Sequence, residues 1–310
     1  MTKILGCWIV VIGLWQCSTP PDTTASFHIH GHRGCRGLYP ENTIPAFLHA
    51  TSLGVDALEM DVVITADHQI LVSHEPFMIP EIMAYPDGRT SEAMGENIFT
   101  MTAEEAQQYR CGIRPHPRFP AQQLVPSNKP LLSEVVTQVK QACKNNRLAE
   151  PLYNIEIKTV YERNALNERV LGDLVFHPEP TEYVSHFLTH LATLDIRNNA
   201  VVQSFDPRIL EAMHAQDPHI PLVYLSADSL LSAQEKLAEL SFKPSGYSVH
   251  YPMIDQSLVA YCQAHGIQLL AWTVNEEADM QRLITMGVKE IITDYPDRAL
   301  AVREKLLPHK

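Results

Sequence analysis

Between residues 27 and 76 the spacing of apolar and polar positions changes period, and each change marks an element. From Phe27 to Gly31 the alternation has period two. It predicts a strand with His28, His30 and His32 on one face, and leaves Arg33 and Gly34 to start a tight turn. Pro40, Glu41 and Asn42 then open a helix, with Asn42 as N-cap, Ile44, Phe47, Leu48 and Leu53 as its apolar face, and Gly54 as its end. Period two returns from Asp56 to Thr65, where Leu58, Met60 and Val62 point one way and Glu59 and Asp61 the other. A third strand, Gln69 to Ser73, ends at His74. The unit reads strand, helix, strand with its polar groups at strand ends, which is where a parallel α/β sheet keeps its chemistry.

The pattern then lapses. Phe77 to Pro130 is rich in Pro, Gly, Gln and Asn, with one short helical stretch at Thr102 to Tyr109, and reads as an irregular insertion covering the sheet end. Helical spacing resumes from Leu131 to Lys144 through Leu132, Val135, Val136 and Val139. Leu152 to Thr159 is a strand with Ile155 and Ile157 on one face and Asn154, Glu156 and Lys158 on the other. Downstream, helices are expected at Glu182 to Leu194, up to His214, Ala227 to Leu240, Asp255 to His265 and Glu276 to Met286. They alternate with strands at Ala200 to Ser204, Pro221 to Leu225, Tyr247 to His250, Gln268 to Val274 and Glu290 to Thr293. About eight such alternations over roughly 250 residues predict a (β/α)8 TIM barrel of the α/β class; an open doubly wound sheet is the competing arrangement.

Composition narrows the function. The chain has 310 residues, 45% of them hydrophobic, so neither a disordered nor a fibrous class fits. A formal charge of −12 and the absence of any basic run leave nothing to neutralise a nucleic-acid backbone, so a small-molecule partner is expected and no nucleic acid. The amino terminus stands apart. Lys3 precedes an apolar run from Ile4 to Trp15, then come Gln16, Cys17 and a polar segment from Ser18 to Ser26. That run falls short of the roughly 20 residues that span a bilayer and suits an export signal. Cys17 resembles the lipid-attachment cysteine of lipoproteins, with soluble export as the alternative; Cys7 has too little apolar sequence before it. Residues 1–26 are thus read as signal and tether, 27–310 as the barrel domain, and the location as periplasm or cell envelope. Cys35, Cys111, Cys143 and Cys262 remain, without a CxxC pair, so no cysteine zinc site is expected and disulfide pairing stays open.

Three carboxylates, Glu59, Asp61 and Glu156, fall at strand ends on what would be one inner face. Oxygen ligands of this number suit a hard divalent ion, Mg²⁺ or Ca²⁺; the competing reading pairs them with Arg33 and Lys158. His32 and His74 would flank the same opening and could divide general acid and base work. Fifteen histidines make structural roles common, and His28, His30, His49 and His250 are assigned there. Cys35 is read as a packing residue. Arg33 and Lys158 could contact phosphate oxygens, Arg33 in a forked manner. No glycine-rich nucleotide loop and no GxSxG elbow is present.

These residues lie in a series of motifs: HRG at His32 to Gly34, PENT at Pro40 to Thr43, EMDV at Glu59 to Val62, His74, IEIK at Ile155 to Lys158, QSFD at Gln203 to Asp206, WTVN at Trp272 to Asn275 and TDYPD at Thr293 to Asp297. In this order and spacing they resemble the glycerophosphodiester phosphodiesterases. The resemblance implies a (β/α)8 barrel with a small insertion after the third strand region, and metal-dependent hydrolysis of glycerophosphodiesters to glycerol 3-phosphate and an alcohol. It further implies Glu59, Asp61 and Glu156 as metal ligands, His32 and His74 as the acid-base pair, Arg33 and Lys158 as phosphate contacts, and Trp272 as an aromatic wall of the substrate site. In place of the Asp usual after the second histidine, this chain has Glu75. A related phospholipase acting on lipid headgroups and a non-catalytic headgroup-binding protein are the competing functions.

Overall fold

The computed structural model describes residues 27–90, 95–160 and 175–307. Its sheet is a closed barrel. Eight strands, β1 (His28–Gly31), β2 (Ala57–Ile64), β4 (Leu152–Ile157), β5 (Ala200–Ser204), β6 (Leu222–Ser226), β7 (Gly246–His250), β8 (Gln268–Trp272) and β9 (Glu290–Thr293), pair in parallel, and β1 joins both β9 and β2 to complete the ring. Closure leaves the eight-stranded ring without an edge, and the open doubly wound alternative is excluded. The remaining strand, β3 (Ile70–Val72), runs antiparallel to β2, with Val62 opposite Val72 and Ile64 opposite Ile70. The expected strand, helix, strand unit is therefore corrected at its last member: β3 returns along β2 as a hairpin arm and does not border β1. Alternation has the same period in parallel and antiparallel strands, so it cannot reveal this direction.

The helices among the described residues are α1 (Ile44–Leu53), α2 (Ala103–Gln107), α3 (Leu132–Asn146), α4 (Pro180–Leu194), α5 (Pro207–Gln216), α6 (Ala233–Leu237), α7 (Gln256–His265), α8 (Glu277–Met286) and α9 (Pro296–Leu306). They pack on the outer faces of the strands. Leu58, Met60, Val62, Ile155 and Ile157 join the buried apolar layer with Val135, Val139, Tyr183 and Phe187 from α3 and α4. Alternation then sends Glu59, Asp61 and Glu156 inward. Two helices differ from expectation. The region from Ala227 to Leu240 holds only the short α6, which starts at the Ser232 and Glu235 capping box. Helix α1 buries Ala46, Phe47, Ala50 and Thr51, and leaves Ile44, Leu48 and Leu53 half-buried, because small residues let it sit close to the sheet.

Residues 77–130 contain a 3₁₀ turn at Ile98–Thr100 and α2, whose Thr102 cap pairs reciprocally with Glu105. Met78, Met83, Ile98, Met101 and Tyr109 pack on Val63 and Leu71, which gives the segment a satellite core seated on the β2–β3 hairpin. Its later part grips the loop after β1. Gln122 Nε2 donates to the carbonyls of Arg36 (2.6 Å) and Tyr39 (2.8 Å), and Gln123 N–H to that of Leu38 (2.8 Å).

The turn after β1 allows little substitution. Gly34 has φ +84°, and a Cβ there would lie 2.8 Å from the Ala46 carbonyl carbon and 2.9 Å from the Phe47 nitrogen. Gly34→Ala is therefore expected to destabilise the protein by about 2 kcal/mol or more, through backbone strain and a clash that α1 cannot relieve without moving. Urea denaturation checks this; an unchanged midpoint would mean that the turn relaxes freely.

Candidate active site

The carboxylates, histidines and cations singled out in the sequence converge at the carboxyl ends of the strands. Strand register sets the acids side by side: Asp61 on β2 lies opposite Glu156 on β4, and Glu156 opposite Gln203 on β5. Glu59 stands one inward position below Asp61. Glu59, Asp61 and Glu156 each present an oxygen, and these oxygens lie within 4.8 Å of one another. All three residues are buried.

Three buried carboxylates in contact are electrostatically unfavourable, which works against ionising all of them together. Burial raises Glu59 well above the carboxylate range, reinforced by the charges of Asp61 and Glu156. Burial also pushes Glu156 up to about 7, with Asp61 adding and Lys158 opposing. Asp61 goes the other way: burial would raise it, but His74, Arg33 and Lys158 together hold it down. Its Oδ1 has no hydrogen-bond partner, although Oδ2 accepts from Asn42 Nδ2 at 2.8 Å. An orphaned carboxylate oxygen within a cluster of three acids is a donor set that fits a hard divalent cation. The cations nearby do not fully replace such an ion. Lys158 Nζ lies 2.5 Å from Glu156 and 3.9 Å from Asp61 Oδ1, and Arg33 Nε lies 3.3 Å from Asp61 Oδ2 while its Nη1 bonds Glu41 at 2.6 Å. The balancing role considered for Arg33 and Lys158 is thus present in the geometry, and both also line the cavity.

The two histidines flank the acids, each backed by a carboxylate. His32 Nδ1 is 2.6 Å from Asp294 Oδ1, and His74 Nδ1 is 2.6 Å from Glu75 Oε1. Each contact places the Nδ1 proton against its acid and leaves Nε2 as the exchanging nitrogen. His32 Nε2 lies 4.0 Å from Glu59, and His74 Nε2 is 3.3 Å from Lys158 Nζ. Burial, aided by Arg36 and Arg33, moves His32 down to about 4, against the pull of Asp294; burial, Arg33 and Lys158 lower His74 as well. Burial and the neighbouring cations thus work against the imidazolium form of both rings, and Asp294 and Glu75 work in its favour. His74 does not end a strand neighbouring β1, as the sequence suggested; the β2–β3 hairpin delivers it, with Ser73 N–H on the Asp61 carbonyl at 2.9 Å.

Above these groups lies a cavity of about 440 Å³, lined by His32, Arg33, Glu59, His74, Glu156, Lys158, Gln203, Phe205 and Trp272. Trp272 ends β8, donates its indole N–H to the Ser248 carbonyl at 3.1 Å, and meets Phe205 edge to face at 5.5 Å. These two rings form an apolar wall opposite the charged floor. Arg118, from the insertion, reaches the rim.

Several residues of the site were not assigned from sequence. Asn42 was expected as the cap of α1; Thr43 holds that position with extended backbone, and Asn42, at φ +54°, turns its amide into the site and onto Asp61. Arg33, at φ +50°, aims its backbone N–H at Glu59 Oε2 at 2.8 Å. Non-glycine residues at positive φ persist where surrounding contacts over-determine them, as here. Asp294 binds His32, Arg36 and Asn275 together, with Asn275 Nδ2 at 2.8 Å from Oδ2. Its sequence signal was its place just past β9, in the same strand-end layer as His32. Gln203 donates to Glu59 Oε1 at 3.2 Å. The histidines read as structural do not line the cavity: buried His30 pairs with Glu290 at 3.2 Å, His49 packs at a tilt against Tyr39, and exposed His250 flanks Trp272 from outside the lining. Cys35, Cys111, Cys143 and Cys262 are buried and free; burial pushes the Cys35 thiol up to about 12, which suits packing and not attack. Cys17 and Cys7 lie outside the described residues.

Comparison with known proteins agrees with this geometry. A glycerophosphodiester phosphodiesterase of Bacillus altitudinis is 29% identical over 279 residues, covering 90% of this chain and 98% of its own. Lysophospholipase D of Rattus norvegicus is 26% identical and covers 88% of this chain and 84% of its own. The crystal structure of a putative glycerophosphoryl diester phosphodiesterase from Silicibacter pomeroyi superposes with a TM-score of 0.78 at 26% identity, covering 91% of this chain and 94% of the other. The family model for glycerophosphoryl diester phosphodiesterases matches residues 32–298, nearly the whole barrel and every acid and base that lines the cavity, and the chain belongs to that family.

Proposed function

We infer that the protein hydrolyses glycerophosphodiesters to glycerol 3-phosphate and an alcohol in a divalent-cation-dependent reaction. The observation that carries this reading is the pairing, in one cavity, of two carboxylate-backed histidines with three buried acids and two cations. Glu59, Asp61 and Glu156 would hold the cation, which when bound supplies Lewis-acid neutralisation of the phosphoryl oxygens. Arg33 and Lys158 face the same oxygens and orient the diester. One imidazole enters neutral and takes the proton of the nucleophile at Nε2, and the other enters as the imidazolium, its Nδ1–H on its carboxylate, and gives its Nε2 proton to the departing alkoxide. Asp294 and Glu75 fix the ring orientations that make this exchange possible. Trp272 and Phe205 cover the apolar side of the glycerol or the alcohol.

The all-oxygen ligand set favours Mg²⁺ or Ca²⁺ over softer ions. Export with lipid attachment at Cys17 is our reading of the amino-terminal sequence and places the enzyme at the cell envelope, where it would meet headgroup diesters released from lipid. Among the described residues no helix is long and apolar enough to cross a membrane.

The direct test is release of glycerol 3-phosphate from glycerophosphocholine, before and after EDTA, with Mg²⁺ and Ca²⁺ restored separately. EDTA is expected to remove at least nine-tenths of the activity and one of the two ions to restore it. A folded protein that releases nothing from this substrate, but frees choline from lysophosphatidylcholine, would transfer the assignment to a lysophospholipase.

A further inference from the structure

We propose that the outer wall of the barrel carries a second metal site, separate from the catalytic acids, in which His68, Glu182 and His186 bind a borderline transition ion such as Zn²⁺. The three residues come from two elements. His68 sits in the turn between β2 and β3, and Glu182 and His186 are one helical turn apart on α4. Each offers one ligand atom, and these atoms lie within 4.8 Å of one another. His186 Nε2 and Glu182 Oε1 are 3.9 Å apart, and the His68 and His186 rings approach to 4.1 Å between centroids. Ligands around a tetrahedral zinc at about 2.0–2.1 Å stand roughly 3.3 Å apart, so small rotations of exposed side chains close the set. His68 and Glu182 are exposed and His186 half-buried, which leaves the site open to an ion from solvent.

The backbone under His68 is already fixed. Its N–H donates to the Thr65 carbonyl at 3.0 Å, Asp67 accepts from the Thr65 hydroxyl at 2.5 Å and from the Ala103 N–H at 3.0 Å, and His190 Nε2, a further turn along α4, meets the His68 carbonyl at 3.2 Å. The turn therefore holds His68 against the helix before any ion arrives, which lowers the ordering cost of binding. Two imidazoles and a carboxylate distinguish this set chemically from the oxygen-only catalytic cluster. Imidazole nitrogen favours Zn²⁺, Cu²⁺ or Ni²⁺ and disfavours Mg²⁺ and Ca²⁺, and the net charge of −12 concentrates cations near the surface. An ion here would staple the hairpin to α4. That hairpin carries Asp61 on one strand and presents His74 beyond the other, so the staple braces the catalytic layer from outside.

The test is Zn²⁺ binding by the full chain in saturating Mg²⁺, measured as bound zinc per chain and as the zinc-edge X-ray absorption signature of imidazole ligands. His68→Ala and His186→Ala, both surface changes, are expected to remove one bound equivalent and its imidazole scattering, and Glu182→Gln to weaken that equivalent about tenfold. Activity with Mg²⁺ should persist in all three variants. Equal zinc content and an unchanged imidazole signature in wild type and both histidine variants would overturn the proposal.

Discussion

His32→Ala is expected to lower kcat about 10³-fold while leaving the affinity for the divalent ion within about twofold of the wild type. The separation follows from the contacts. His32 reaches Glu59 only at 4.0 Å, whereas its strong bond is to Asp294, which keeps Arg36 and Asn275 as partners after the ring is gone. The acids then stay in place, and the loss falls on proton transfer. His74→Ala should show a similar loss, since its Nε2 faces the same cavity. A diester with a good leaving group, such as a nitrophenyl ester, needs no proton on departure. It should recover most of the rate in the variant lacking the acid and none in the variant lacking the base, and so distinguish the two roles. Activity near normal in His32→Ala would remove that residue from the acid-base pair.

Glu59→Gln is expected to act in opposite directions on two properties. Metal affinity should fall by at least tenfold, because one of three anionic ligands becomes neutral. Without metal, thermal stability should rise. Glu59 is held well above the carboxylate range by burial and by its neighbouring acids, so its charge costs folding energy at neutral pH. The sign is that of a raised carboxylate: below the unfolded value the group is neutral in both states, and above it the folded state is penalised for ionising. An amide removes that penalty. It also fits locally. Arg33 N–H can keep its oxygen acceptor, and Gln203, whose Oε1 is buried without a partner, can turn its amide to accept from the new NH₂. Thermal melts in EDTA and calorimetric titration with Mg²⁺ read the two effects. Unchanged affinity would take Glu59 out of the ligand set.

The barrel was legible because its strands alternate strictly at the places that matter. Glu59 and Asp61 between Leu58, Met60 and Val62 fix both an outer face and an inner one, and register then carries Asp61 beside Glu156. Three things escaped. The direction of β3 did, because side-chain period does not depend on pairing sense. Asn42 reads as a helix cap in sequence because its chemistry is that of a cap; the left-handed backbone that sends it to Asp61 is set by contacts 19 residues away. The role of Asp294 depends on ring closure, which brings β9 beside β1 and has no local signature. Glu75 was visible as a departure from the family pattern, and the longer carboxylate still reaches Nδ1 of its neighbour at 2.6 Å.

The bond between His32 and Asp294 spans 262 residues, from the first strand of the ring to the last. The three acids, the second histidine and both cations all lie between Arg33 and Lys158, yet the first histidine lacks its orienting partner until β9 has joined β1. A chain without β9 therefore leaves His32 unoriented however well its first half has formed. Full turnover thus doubles as a sign that the ring has shut, because the contact that orients His32 exists only across the β1–β9 seam.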